Sequence, residues 1–157
     1  MFCRNLLNIF ILAFAASLMQ KRFYIDTCIW RDLLEDRNSG YSFLGEYAFE
    51  FLKKCRENNA LIIVSSVVLH ELGKRFEKSE IDDLFELFKE VIAFVKYSEK
   101  DLAEADYLVV RFGIHRFDAL HAVICKVNEC DLISRDRHFE LIRGFVKIFK
   151  PEEVVFD

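Results

Sequence analysis

The chain has 157 residues, suited to one domain, and a folded chain of that size buries roughly 70% of the surface it exposes when unfolded. Apolar residues make up 53% and charged residues 31%, with Phe at 17 positions and Pro at one, which excludes a disordered, collagen-like or low-complexity chain. The net charge of −4 excludes binding to nucleic acid through bulk charge, so any such contact needs a local basic rim or metal ions.

The first stretch, Leu6 to Met19, is apolar apart from Asn8 and Ser17 and is flanked by Arg4 and Lys21. It is shorter than the roughly 20 residues a spanning helix needs. Three readings stand: a start assigned too far upstream of Met19, a cleaved signal with Ala13-Phe14-Ala15 at its cleavage site, or a membrane anchor. The first is favoured, because only Gln20, Lys21 and Arg22 separate Met19 from a buried-strand pattern. The cysteine count, odd at five with no CxxC pair, also suits a reducing compartment. The expected organisation is an apolar segment over 1–18 and one domain over 19–157, cytoplasmic and without stable membrane association.

Phe23–Ile25 reads as a short strand, followed by helical chemistry in which Asp26-Thr27 serve as a cap and Trp30, Leu33 and Leu34 share a face. Asn38-Ser39-Gly40 is a turn, and Tyr41 to Asn59 keeps helical period. The apolar run Leu61–Val64 predicts a strand buried on both faces. Ser66 opens a helix with Val67, Val68, Leu69, Leu72 and Phe76 inward, and Ser79 caps a second, Phe-rich one. Phe94–Tyr97 is a short strand, and Ser98 caps a helix from Glu99 to Phe112 that Gly113 ends. Phe117–Glu129 is helical, Asp131–Ser134 a strand, Phe139–Ile142 a short helix and Phe145–Phe149 a last strand. Apolar strands alternating with helices predict an α/β domain, with a mostly parallel sheet covered on both faces.

In such sheets ligands bind beyond the carboxyl ends of the strands. Asp26 and Asp136 follow strands, while Glu71 and Asp118 lie in the first turns of helices, so all four acids are expected at one edge. Each alone reads as a cap or a solvated charge. Together they repel one another, a conflict that a hard divalent cation relieves; Mg²⁺ or Mn²⁺ suits an all-carboxylate set. The chemistry implied is metal-assisted phosphodiester hydrolysis.

Four segments, Tyr24-Ile25-Asp26-Thr27, Ser65 to Glu71, Phe117 to Ala122 and Leu132 to Phe139, resemble in order and spacing the motifs of a PIN domain. They are similar in particular to the VapC-like toxin ribonucleases of type II toxin–antitoxin pairs. The resemblance implies a PIN-like three-layer fold and a metal-dependent endoribonuclease, with an RNA substrate, an antitoxin partner and a homodimer. Carried over by position, Asp26, Glu71, Asp118 and Asp136 are the catalytic acids. Asp26, Asp118 and Asp136 bind Mg²⁺ or Mn²⁺, and Glu71 serves as base. Thr27 and Ser134 orient carboxylates, with Ser134 standing where the family often has threonine. Arg31, Lys74, Arg75, His115, Arg116, Arg135, Arg137 and His138 cluster beside these acids as a basic rim, and Arg116, Arg135 and Arg137, next to motif acids, are the candidates for gripping RNA phosphates. A housekeeping nuclease of the same fold and a non-catalytic RNA- or protein-binding module are the alternatives. His121 reads as a packed histidine, and Lys74 in place of a second histidine excludes an HExxH zinc site.

Overall fold

The computed structural model describes residues 20–156. Residues 1–18, and with them the expectation for the apolar segment, lie outside the described residues.

The strands of the main sheet are β1 (Arg22–Ile25), β4 (Leu61–Ser65), β5 (Ile92–Val95), β6 (Asp131–Ile133) and β7 (Ile148–Phe149). They stand in the order β5-β4-β1-β6-β7, and every pairing is parallel. The chain first builds outward from β1 through β4 to β5, then returns to the other side of β1 for β6 and β7. That reversal places a crevice between the carboxyl ends of β1 and β6, where doubly wound sheets bind ligands.

Six helices connect the strands: α1 (Thr27–Leu34), α2 (Leu44–Glu57), α3 (Ser66–Leu72), α4 (Lys78–Glu86), α5 (Glu99–Phe112) and α6 (Arg116–Val127). Right-handed crossovers put α1 to α4 on one face of the sheet and α5 and α6 on the other. In keeping with this, α1 packs on α2 and α5 on α6. The strands are buried because their side chains are needed on both faces: Phe23, Tyr24, Ile25, Ile62, Val64, Leu132 and Ile133 are all core. Trp30 fastens α1 at both ends of its ring. Its Nε1 donates to the Ile25 carbonyl at 3.2 Å, and the ring meets Phe85 of α4 edge-on at 5.0 Å. α6 is apolar nearly all round, Ala119 through Cys125 being buried, which suits a helix clamped between sheet and α5.

Several boundaries differ from those the sequence predicts. Asn38–Ser39 and Ser42–Phe43 pair as a small antiparallel hairpin, β2 and β3, closed at Gly40 with φ +61°, so α2 starts only at Leu44. Ser79 lies inside α4 rather than capping it. Glu77 caps instead, because Glu80 three residues on reaches back to its backbone N–H at 2.8 Å. β5 is Ile92–Val95, its register fixed by Ile62 opposite Ile92, and Lys96-Tyr97 run beyond the sheet toward the Ser98 cap of α5. Leu69 points outward because α3 ends after seven residues and its inner face is held by Val67, Val68 and Leu72. The last strand shrinks to two residues, preceded by a single bridge from Arg143 to Val146. In the Phe-rich segment Ile81, Leu84, Phe85, Phe88 and Val91 are core, whereas Leu87 and Phe94 are exposed.

Candidate active site

The site begins with the register of two strands. Ile25 of β1 is paired with Ile133 of β6, so the next residues on each strand, Asp26 and Ser134, emerge side by side at the crevice. The Asp26 N–H donates to the Ile133 carbonyl at 3.0 Å, and Ser134 Oγ donates to Asp26 Oδ2 at 2.7 Å. Cys28 Sγ donates to the same oxygen at 3.0 Å. Asp26 occupies the N-cap position of α1 but makes no capping bond with its side chain. The residue is 7% exposed, and its carboxylate is held by Ser134 and Cys28 rather than spent on a cap.

Ser134 carries out a second task. Its hydroxyl oxygen accepts the Asp136 N–H at 3.0 Å, which fixes the turn leaving β6. Asp136 then caps the 3-10 turn Arg137–Ile142 by accepting the His138 N–H at 2.9 Å. The cap also brings the His138 ring back over the acids, with Nδ1 3.2 Å from Asp136 Oδ1 and 3.6 Å from Asp118 Oδ2.

Asp118 comes from the first turn of α6, half-buried. Among the described residues its carboxylate accepts no hydrogen bond. Burial pushes its pKa up, and the nearby Asp136 and Asp26 carboxylates push it further in the same direction. Asp118, Asp136 and His138 offer donor atoms that all lie within 4.8 Å of one another. The two carboxylates suit a hard divalent cation such as Mn²⁺ or Mg²⁺, which would neutralise the repulsion that helps raise Asp118, and the imidazole is a further donor that a transition ion such as Mn²⁺ accepts more readily than Mg²⁺. His138 is the functional candidate that reasoning from sequence places on the basic rim and not among the ligands. The signal that could have found it is its spacing from Asp136, two residues on in a turn.

Glu71 is held on the other side of Asp26, apart from that cluster. Its Oε2 accepts from Thr27 Oγ1 at 2.5 Å and from His121 Nε2 at 3.1 Å. Burial acts to raise Glu71, but these two bonds and the imidazole outweigh it, and the carboxyl lies below its ordinary pKa. His121 is fully buried three residues after Asp118 on the inner side of α6. Its Nδ1 lies 2.6 Å from Tyr24 Oη, which in turn lies 2.6 Å from Ser65 Oγ, the N-cap of α3. A continuous polar chain thus runs from the start of α3 through the core to Glu71, every member partnered.

The three predicted RNA-binding arginines have different positions. Arg137 is exposed beside Asp136, at one end of a cleft of about 1310 Å³ that also reaches Arg143, Lys147 and Lys150. Arg116 is exposed and forms a two-pronged pair with Asp106 at 2.7 and 3.1 Å. Arg135 is held differently. Its side chain is only 16% exposed and turns inward, Nε donating to the buried Asp32 at 2.9 Å and Nη1 to Glu152 at 2.6 Å. It balances a buried acid, and its Nη2 is buried without a hydrogen-bond partner among the described residues.

A parallel sheet with an acid at the end of β1 and a carboxylate cluster at the β1–β6 switch point defines an α/β domain with an acidic site at the carboxyl ends of its strands. The PIN domain family model matches residues 23–144, and the chain belongs to that family. The sequence matches no curated protein at a significant level. Among solved structures, VapBC2 from Rickettsia felis bound to a promoter DNA fragment is similar at a TM-score of 0.62 and 17% identity, over 82% of this chain and 98% of that one. A toxin–antitoxin complex from Klebsiella pneumoniae is similar at 0.59 and 18%, over 83% and 98%. FitAcB from Neisseria gonorrhoeae is similar at 0.56 and 16%, over 84% and 99%. These likenesses bear out the three-layer α/β fold. Nuclease activity is consistent with the family, and no described helix is long and apolar enough to cross a membrane.

Proposed function

We propose that this chain is a divalent-metal-dependent endoribonuclease and the toxin half of a toxin–antitoxin pair, inhibited by a cognate antitoxin and active as a homodimer. The observation that carries the reading is the state of Asp118. It is a half-buried carboxylate with no hydrogen bond among the described residues, raised by two neighbouring acids and within 4.8 Å of two further donors. Such an arrangement is costly unless a cation is held there. The likeness in fold to the solved toxin–antitoxin complex from Klebsiella pneumoniae supports the partner.

In this reading Asp118, Asp136 and His138 hold Mg²⁺ or Mn²⁺, with Asp26 completing the acidic set from the sheet side. The cation supplies charge stabilisation at phosphorus and lowers the pKa of water. Ser134 aims Asp26 and fixes the Asp136 turn, so two carboxylates depend on one hydroxyl. Thr27 and His121 both bond Oε2 of Glu71, which keeps that group ionised and leaves Oε1 as the oxygen to accept a proton from the attacking water. Arg137 and Arg116 flank the acids and position the phosphate backbone.

The test is cleavage of a mixed RNA pool by the purified chain with Mg²⁺, Mn²⁺ or EDTA, beside Asp118→Asn. Metal-dependent cutting that the variant loses is expected. Cutting that survives both EDTA and the substitution would dismiss the acidic site as its source.

A further inference from the structure

Phe117 precedes Asp118 on the first turn of α6, yet its ring is 39% exposed while the four residues after Asp118 are buried. Nothing in the core needs it. Its surroundings are polar and basic. Lys74, three residues after Glu71 at the end of α3, holds its ammonium 5.5 Å from the ring centroid. His115, the N-cap of α6, lies 5.9 Å away with its ring tilted only 30° from that of Phe117. An exposed aromatic in an apolar patch would suit a protein partner. One framed by an ammonium and an imidazole suits a planar group carried on a phosphate chain.

Resting on the ribonuclease reading, we propose that Phe117 is the platform on which a nucleobase beside the scissile phosphate stacks, with Lys74 gripping the adjoining phosphate. The position follows from the elements that carry the ring and its cation: Phe117 adjoins Asp118 on the first turn of α6, and Lys74, beside the ring, lies three residues beyond Glu71, so a base on Phe117 belongs to a nucleotide close to the acids. Every base has a π-face, and single-stranded RNA splays its bases onto aromatic side chains, so the platform selects unpaired RNA rather than a particular sequence. Phe117 and Lys74 lie on the α3 and α6 side of the acids, while Arg137 lies on the β6 side. The strand therefore passes across the acidic site from one rim to the other.

The test uses the full chain in an Asp118→Asn background with EDTA, so that nothing is cut, and a fluorescent single-stranded 12-nucleotide RNA of mixed sequence read by anisotropy. Phe117→Ala is expected to raise Kd by about ten-fold or more, and Phe117→Trp to restore it. On an otherwise identical abasic RNA, Phe117→Ala and its parent should bind alike, whereas Lys74→Ala should weaken binding to both RNAs. Melting curves check that each variant is folded. If Phe117→Ala and its parent bind the base-bearing RNA equally, the platform is overturned, the ring becomes a protein contact, and the ribonuclease reading stands on its own cleavage test. If the parent binds no RNA at all, the platform is likewise overturned, and the ribonuclease reading is decided by the metal-dependent cleavage test.

Discussion

Asp26 sits where a helix cap belongs, yet its carboxylate turns back across the sheet to Ser134, whose hydroxyl donates at 2.7 Å. The same hydroxyl oxygen accepts the Asp136 N–H at 3.0 Å, so one small side chain ties the acid after β1 to the acid after β6. Removing it should misplace both without emptying much volume. Ser134→Ala is expected to lower nuclease kcat roughly 10- to 100-fold. Ser134→Thr keeps the hydroxyl and should hold kcat near that of the parent. The pair of kcat values checks this, and equal loss in both variants would show that packing rather than the hydroxyl matters.

Asp118 makes the complementary case, a group whose removal should relax the fold while ending the chemistry. Burial and the two nearby carboxylates work against its charge. In EDTA, Asp118→Asn should therefore melt at or above the temperature of the parent. Adding Mn²⁺ should raise the parent's melting temperature, since a ligand bound only by the native state stabilises it by mass action, and should leave the variant nearly unmoved. RNA cutting should fall by about 100-fold or more. Differential scanning fluorimetry with and without metal reads the first two, and a parent that ignores Mn²⁺ would count against the cation site.

How much of this was legible beforehand depends on whether local or remote residues decide it. The strand before Asp26 and the helix from Ser98 to Gly113 declare themselves through apolar runs, a capping box and a glycine at φ +69°. The rule about strand ends singles out the four acids, of which the structure gathers Asp118 and Asp136 with Asp26 nearby and holds Glu71 apart, on Thr27 and His121. The start of α4 was obscured because Glu77 is an unusual cap, made workable by Glu80. The register of β5 depends on Ile62, thirty residues away, and no local pattern contains it. His138 and Arg135 show the same limit in the site. Both read as basic rim in sequence, but a cap on Asp136 folds the first over the acids, whereas a buried Asp32 draws the second inward.

That inward turn gives Arg135 a measurable role. Asp32 is almost completely buried and is paired with Arg135 and with Arg37. Deleting one partner leaves a buried charge undercompensated, so Arg135→Ala should cost roughly 3 kcal/mol. For a chain of this length that corresponds to a melting temperature roughly 5 to 10 °C lower. Arg137→Ala, at an exposed position next to Asp136, should leave the melting temperature within about 1 °C and weaken RNA binding instead. Urea unfolding and anisotropy on the two variants separate these roles, and an unchanged midpoint for Arg135→Ala would refute the balancing role of Asp32.

The second partner of Arg135 makes stability depend on pH in a direction that can be worked out. Burial acts to raise Glu152, but the hydrogen bond and charge of Arg135 outweigh it, so its pKa is lower folded than unfolded. Between those two values the unfolded chain binds more protons, so stability rises with pH through that window. The contribution is complete above the ordinary glutamate pKa and is lost as pH falls through the depressed one. Asp32 runs the other way, because burial holds its carboxyl above the usual range despite its arginines. A comparison that leaves Asp32 intact isolates Glu152. Glu152→Gln should be less stable than the parent at pH 7, and the gap should close as pH falls below the ordinary glutamate range and the parent's Glu152 takes up its proton. Urea midpoints for both proteins between pH 3 and 7 measure the gap. One that stays constant with pH would mean that the Arg135–Glu152 contact at 2.6 Å contributes through packing and not through charge.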